Sequence, residues 1–168
     1  ILSRDRYIQT LLAISCFVSG ATYVPLDNSM SSERIKFIIE DSCINCIFTD
    51  EGEFQRLNDS STFLNCTDIA YIIYTSGTTG NPKGVKVSKE NILSTIENLK
   101  IQNILNEEDI IYQNISMIFD PSIMDILYPI AVGASIYIPQ QRLYGQELEE
   151  ILEEEKITGI CLQEIKVV

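Results

Sequence analysis

Stretches in which apolar residues recur every three or four positions alternate along this chain with short unbroken apolar runs. The two patterns predict its elements. Residues 6 to 19 carry Ile8, Leu11, Leu12 and Ser15 at helical spacing, so an amphipathic helix closed by Gly20 is expected. Ser31 or Ser32 can cap a second helix whose inner face is Ile35, Ile38 and Ile39. INCIFT (44 to 49) reads as a strand, and residues 50 to 68 as a polar surface insertion. IAYIIY (69 to 74) is a continuous apolar run, the pattern of a strand covered on both faces. A Gly-rich loop follows, and then a helix from about Ser88 with Ile92, Ile96 and Leu99 on one side. DIIYQN (109 to 114) suggests a strand, the residues after Asp120 a helix ending at Gly133, and ASIYIP (134 to 139) another strand. A Glu-rich helix from about Gln146 to Glu155, with Leu148, Ile151 and Leu152 inward, precedes the strand ITGICL (157 to 162). Helices alternating with buried strands predict an α/β fold with a layered sheet-and-helix core.

Composition narrows the function. The 168 residues hold 24 Asp and Glu against 12 Lys and Arg, a formal charge of -12. With no basic cluster, such a chain repels phosphate backbones, and nucleic-acid binding is not expected. There is no His, so catalysis would have to run on Lys, carboxylates, hydroxyls or backbone dipoles. Arg4 and Arg6 before LLAISCFVSGA imitate a signal peptide, and Asn58, Asn65 and Asn114 open N-x-S/T triplets. No uncharged apolar run reaches the ~18 residues of a membrane span, because Asp27 ends the longest stretch and Gly20 and Pro25 interrupt it. The chain is therefore expected to be soluble and cytoplasmic. Because it begins at Ile1, it is also expected to be an internal piece of a longer protein.

Five cysteines include the pair Cys43 and Cys46 in CxxC spacing. A closed zinc site needs a second ligand pair, which is missing here, and an odd count argues against a disulfide framework. Cys46 is expected to point into a core from its strand. The metal ligands, if any, stay unknown.

The chemistry concentrates in YTSGTTGNPKG, Tyr74 to Gly84. Gly77, Gly80 and Gly84 let a backbone take positive φ or approach a ligand closely. Thr75, Ser76, Thr78 and Thr79 supply hydroxyl and amide donors, and Lys83 a point charge. Placed between a buried strand and a helix, that set suits a polyphosphate cradle. It is not a Walker A loop, since Lys83 is followed by Gly84 and preceded by Pro82. An arbitrary loop of this composition would read as an exposed turn.

The full string resembles the phosphate-binding motif of the adenylate-forming superfamily, which includes acyl-CoA synthetases, luciferases and the adenylation domains of nonribosomal peptide synthetases. SGATYVPLDNSMSSERIKFIIEDS (19 to 42) is similar to the AGxAYVPLDPxxPxERixxiLxDs block of the peptide-synthetase branch. IFDPSIMDILYPIAVGASIYIP (118 to 139) is similar to its FDxSxxDxxxxLxxGaxl segment. Order and spacing of all three agree across nearly the whole chain. The resemblance implies that residues 1 to 168 form part of the large N-terminal subdomain of an adenylation (AMP-binding) domain.

By the same resemblance, a substrate carboxylate attacks the α-phosphate of MgATP to give an acyl-adenylate and pyrophosphate. A phosphopantetheine thiol on a peptidyl carrier domain then takes the acyl group, and neighbouring synthetase domains are implied as partners. Thr75, Ser76, Gly77, Thr78, Thr79 and Gly80 would wrap the β- and γ-phosphates, with Lys83 anchoring loop or phosphates. Asp120 would pair with the α-ammonium of an amino-acid substrate, while Pro121 and Met124 line its side-chain pocket. On the residues alone, Asp120 reads as an N-cap and Pro121 as the first helical residue.

The sequence departs from the family pattern at several points. Val18 stands where a Lys is usual, Asn28 and Ser31 replace two prolines, and Lys89 replaces a His. The magnesium-binding Glu, the adenine and ribose contacts and the C-terminal subdomain with its catalytic Lys fall beyond the sequence, so the piece by itself is expected to be inactive. One alternative is an acyl-CoA or aryl-acid ligase, which Asp120 and the YVPLD block disfavour. Another is a catalytically dead adenylation-like module, and a third a secreted binding domain resting on the signal-like N-terminus and the triplets.

Overall fold

In a computed structural model of the chain, the structure describes residues 1–49, 52–57, 68–75 and 82–160. The chain divides into two compact units, Ile1–Ile92 and Leu93–Val168.

In the first unit, Asp5 opens α1 (Arg6–Ser19) by accepting a hydrogen bond from the Ile8 N–H at 3.1 Å. Gly20, at φ 77°, closes the helix with its N–H on the Phe17 carbonyl. The buried face of α1 is Thr10 and Ala13, rotated from the expected one; Leu11 and Ser15 are exposed. Thr10 is tolerated inside because its hydroxyl donates to the Arg6 carbonyl at 2.9 Å. Ser31 caps α2 (Ser32–Asp41) through the Arg34 N–H, and Ile38 is fully buried with Ile35 and Ile39 packed beside it.

β1 (Cys46–Phe48) pairs antiparallel with β2 (Phe54–Arg56), so part of the expected polar insertion is a strand. Strand alternation turns Ile47 inward and leaves Cys46 exposed, contrary to expectation. β3 (Ile69–Thr75) is buried from Ala70 to Tyr74 because it is central. On one side it pairs antiparallel with β4 (Lys83–Ser88); on the other, Tyr23 lies parallel to it, with its N–H on Ala70 O and its carbonyl receiving the Ile72 N–H. Val24, Leu26, Ile38, Ile47, Ile72 and Tyr74 form the core of this unit. At its rim Ser88 receives the Asn91 N–H at 3.1 Å and starts α3 (Lys89–Gln102), with Ile92 and Ile96 buried as expected.

The second unit is a parallel sheet with crossover helices. β5 (Ile110–Tyr112) is central, flanked by β6 (Ser135–Tyr137) and β7 (Gly159–Ile160), both parallel to it. α4 (Pro121–Val132) connects β5 to β6 and ends at Gly133, φ 83°; α5 (Gly145–Glu154) connects β6 to β7. The alternation is the expected α/β one. In such sheets ligands are taken up beyond the carboxyl ends of the strands, where the segment after Tyr112 lies. Cys161 and the rest of the final predicted strand fall outside the described residues.

Candidate functional site

The first unit positions what is described of the Gly-rich segment. β3 and β4 are consecutive antiparallel strands, so residues 76 to 82 connect a hairpin rather than a strand to a helix. The segment KGVKVS was not expected to be a strand: it is largely exposed and owes its structure to pairing with β3. The element that follows the loop is thus β4, and no helix begins at its end. Thr75 and Lys83 are direct partners at the open end of the ladder, both exposed, so their side chains leave the ribbon on one face. Ser76, Gly77, Thr78, Thr79 and Gly80 lie outside the described residues.

Gly84 has a different role from the expected positive φ. It pairs with Tyr74, and a Cβ on it would stand 2.9 Å from the Tyr74 Cζ and 3.0 Å from the Ile72 Cγ2. Its missing side chain makes room for the tyrosine ring. The Tyr74 hydroxyl in turn donates to Asp41 Oδ2 at 2.6 Å, tying the last turn of α2 to the strand end that feeds the loop. Burial, with the Asp41 carboxylate, pushes the Tyr74 hydroxyl up to about 12, so it stays a donor at physiological pH.

The second unit holds Asp120, Pro121 and Met124 at the start of α4, after the carboxyl end of β5. Asp120 occupies the N-cap position but at φ −56°, ψ −35°, already helical, and makes no side-chain capping bond. An N-cap reaches the helix amides from extended backbone, so this conformation turns the carboxylate away from that duty. The amides find other acceptors: Ser122 N–H on Phe119 O at 3.1 Å and Ile123 N–H on Asp120 O at 3.0 Å. Asp120 and Pro121 are exposed and Met124 is half-buried. An exposed carboxylate, a proline and a thioether on one helical turn are chemically able to hold an ammonium beside an apolar group.

One carboxyl group escaped the sequence reading. Asp125 is buried, and its Oδ2 has no hydrogen-bond partner in the structure. Burial raises this group to about 7. The available signals were the second acid of the FDxSxxD pattern, which falls on Asp125, and its helical spacing from the buried Ser122 and Pro129.

The model of the AMP-binding enzyme family matches residues 58–163. The chain belongs to that family. Among its relatives, gramicidin S synthase 1 of Brevibacillus brevis is 32% identical over 95% of this chain and 16% of its own length. Gramicidin S synthase 2 of the same organism is 30% identical over 92% of this chain and 4% of its own length. The AMP-binding segment thus spans only a small part of these curated relatives. Its fold is shared with the nonribosomal peptide synthetase FmoA3, at TM-score 0.74 and 20% identity over 94% of this chain and 19% of that one. It is shared equally with o-succinylbenzoate CoA synthetase of Bacillus subtilis, at TM-score 0.75 and 18% identity over 95% and 47%. That synthetase has been solved with ATP and a magnesium ion. Among the described residues, no helix of this AMP-binding chain is long and apolar enough to cross a membrane.

Proposed function

We propose that this chain is part of the N-terminal subdomain of an adenylation domain that activates an amino acid for a nonribosomal peptide synthetase. The observation that carries this reading is Asp120: it stands at a helix start beyond a parallel strand, exposed, with its carboxylate released from capping. An amino acid brings an ammonium to be matched there, which an aryl or fatty acid lacks.

The substrate carboxylate is ionised at neutral pH and needs no general base, which suits a chain without histidine. Its oxygen forms a bond to the α-phosphorus of ATP while the bond to the departing pyrophosphate breaks, leaving an aminoacyl-AMP. A phosphopantetheine thiol on a partner carrier domain then displaces AMP to give a thioester. The residues present fit ATP: Lys83 and Thr75 lie side by side on an exposed ribbon end, bracketing the hydroxyl- and glycine-rich loop. With Ser76, Gly77, Thr78, Thr79 and Gly80 they bind the β- and γ-phosphates and neutralise charge as pyrophosphate leaves. Magnesium supplies further charge neutralisation when bound. Among the described residues no cluster of three acidic or cysteine side chains is placed to hold it, and none is assigned to it. Asp120 orients the amino acid, and Pro121 and Met124 form a partly apolar wall of its side-chain pocket. Such chemistry draws on cytoplasmic ATP.

Amino-acid-dependent ATP–pyrophosphate exchange on the longest natural chain carrying this sequence tests the reading. Exchange with one or a few amino acids is expected, with Lys83→Ala lowering it about tenfold or more. A folded protein that exchanges with none of the amino acids would overturn the proposal.

A further inference from the structure

We infer that Gln113 is a positioning residue, whose buried side-chain amide holds the backbone turn that presents Asp120. The functional half of this inference rests on the amino-acid reading above. Gln113 is the first residue after β5, and its main chain is still fixed to β6 by its N–H on the Tyr137 carbonyl at 2.9 Å. It is 1% exposed, directly after the buried Ile111 and Tyr112. An apolar residue would extend that run without desolvating an amide, whereas a buried amide is tolerated through its hydrogen bonds. The Gln113 Nε2 donates to the Ile115 carbonyl at 2.6 Å and lies 3.7 Å from the Met117 Sδ. Ile115 and Met117 are themselves buried.

After Gln113 the chain leaves the strand while still buried, where a carbonyl must find a donor outside a ladder. The Gln113 amide is that donor for Ile115, and it ties the irregular segment to the end of β5. From there the bonds continue toward Asp120. The Phe119 N–H donates to Ser116 O at 3.0 Å, and the Phe119 carbonyl accepts the Ser122 N–H at 3.1 Å and the Ser122 hydroxyl at 2.6 Å. Burial gives way to exposure along the same stretch: Met117 is buried, Ile118 half-buried, and Phe119 and Asp120 exposed. Gln113 is thus the anchor at the inner end of the turn and Ser122 the anchor at its outer end, with Asp120 on the stretch between them. Releasing the inner anchor would let the Asp120 carboxylate wander, and a charge-assisted pair with an ammonium depends on its placement.

The test compares the natural protein with Gln113→Met and Gln113→Glu in pyrophosphate exchange and in amide hydrogen exchange over residues 111 to 123. Methionine keeps the length of the side chain and has no hydrogen to donate. Gln113→Met is expected to raise the amino-acid KM about tenfold while the ATP KM moves less than about twofold. Its Phe119 amide is expected to lose protection while amides 111 to 113 keep theirs. In Gln113→Glu a neutral carboxyl can donate to the Ile115 carbonyl and a carboxylate cannot, and burial favours the neutral form. Relative to the natural protein, its amino-acid KM is therefore expected to be near normal at about pH 6 and to climb toward that of Gln113→Met at about pH 9. Equal rises in both KM values, or a fall in kcat alone in proportion to lost folded protein, overturn the assignment. So does a Gln113→Glu variant as impaired at the lower pH as at the higher, and this profile decides the matter if Gln113→Met does not fold. If the natural protein shows no amino-acid-dependent exchange, the adenylation reading fails and hydrogen exchange decides the anchor. Phe119 protection lost in Gln113→Met and recovered in Gln113→Glu at the lower pH upholds it, and unchanged protection in Gln113→Met overturns it.

Discussion

A methyl group added at Gly84 has nowhere to go, because the Tyr74 ring and the Ile72 side chain already fill the space across the hairpin. Gly84→Ala is expected to push Tyr74 off Asp41 and to destabilise the hairpin by about 1–3 kcal/mol, read as faster hydrogen exchange in residues 69 to 75. Tyr74→Phe keeps the ring and loses only the 2.6 Å bond to Asp41, so it should cost less, about 1 kcal/mol. Asp125 gives a pH signature. The folded protein keeps its proton up to about pH 7 and the unfolded chain releases it near 3.8, so the folded state binds more protons between those values. Stability therefore falls as pH rises through that window. Asp125→Asn lacks this titration, and its urea midpoint should improve relative to the parent between pH 5 and pH 8; a constant difference would contradict the assignment. The family pattern covers both Asp120 and Asp125, yet only Asp120 was given a role, because an acid amid Ile123, Met124, Ile126 and Leu127 looks like a polar interruption until its burial is known.

Among the elements, α1 shows how a departure from the family pattern can be compensated in space. Val18, where relatives of this branch are expected to carry Lys, is 84% exposed in the last turn of α1, which has no basic residue. A cation reaches the carbonyl end of that helix from elsewhere: Lys89 Nζ donates to the Gly20 carbonyl at 3.0 Å. Lys89→Ala should therefore loosen the last turn of α1 by about 1 kcal/mol, measured as amide exchange, and Val18→Lys in that background should restore part of it. Helices were legible because some of their ends are written in single residues, Gly20 for α1 and Ser31 for α2. Which side of α1 faces inward was less so, since Thr10 can be buried by bonding to its own helix. The short and exposed strands were not legible. β2 is three residues with no buried position, and β4 carries two lysines, so both take their form from partners that local pattern does not reveal.

For the whole molecule, the alternation of helices with buried strands predicted the α/β class and three sequence blocks in family order the family, and neither depended on getting every strand right. The error that mattered chemically was the setting of the Gly-rich loop. A strand followed by a helix would have offered a helix dipole to phosphate; the strand that follows the loop instead is β4, and on the proposed reading that work falls to Lys83 and the loop residues. In a chain of charge -12, a cation beside the loop is then more than an accessory, which is why Lys83→Ala is expected to weaken exchange so strongly. The central claim, though, is that the substrate is an amino acid held by Asp120. The measurement that tests it most directly is pyrophosphate exchange by the natural protein and by Asp120→Ala, each with the preferred amino acid and with the same acid lacking its α-amino group. Loss of an ammonium–carboxylate pair in a partly desolvated site predicts a fall of about 100-fold on the amino acid and less than about tenfold on the des-amino acid. Equal losses on the two substrates, or undiminished exchange with the amino acid, would contradict the account.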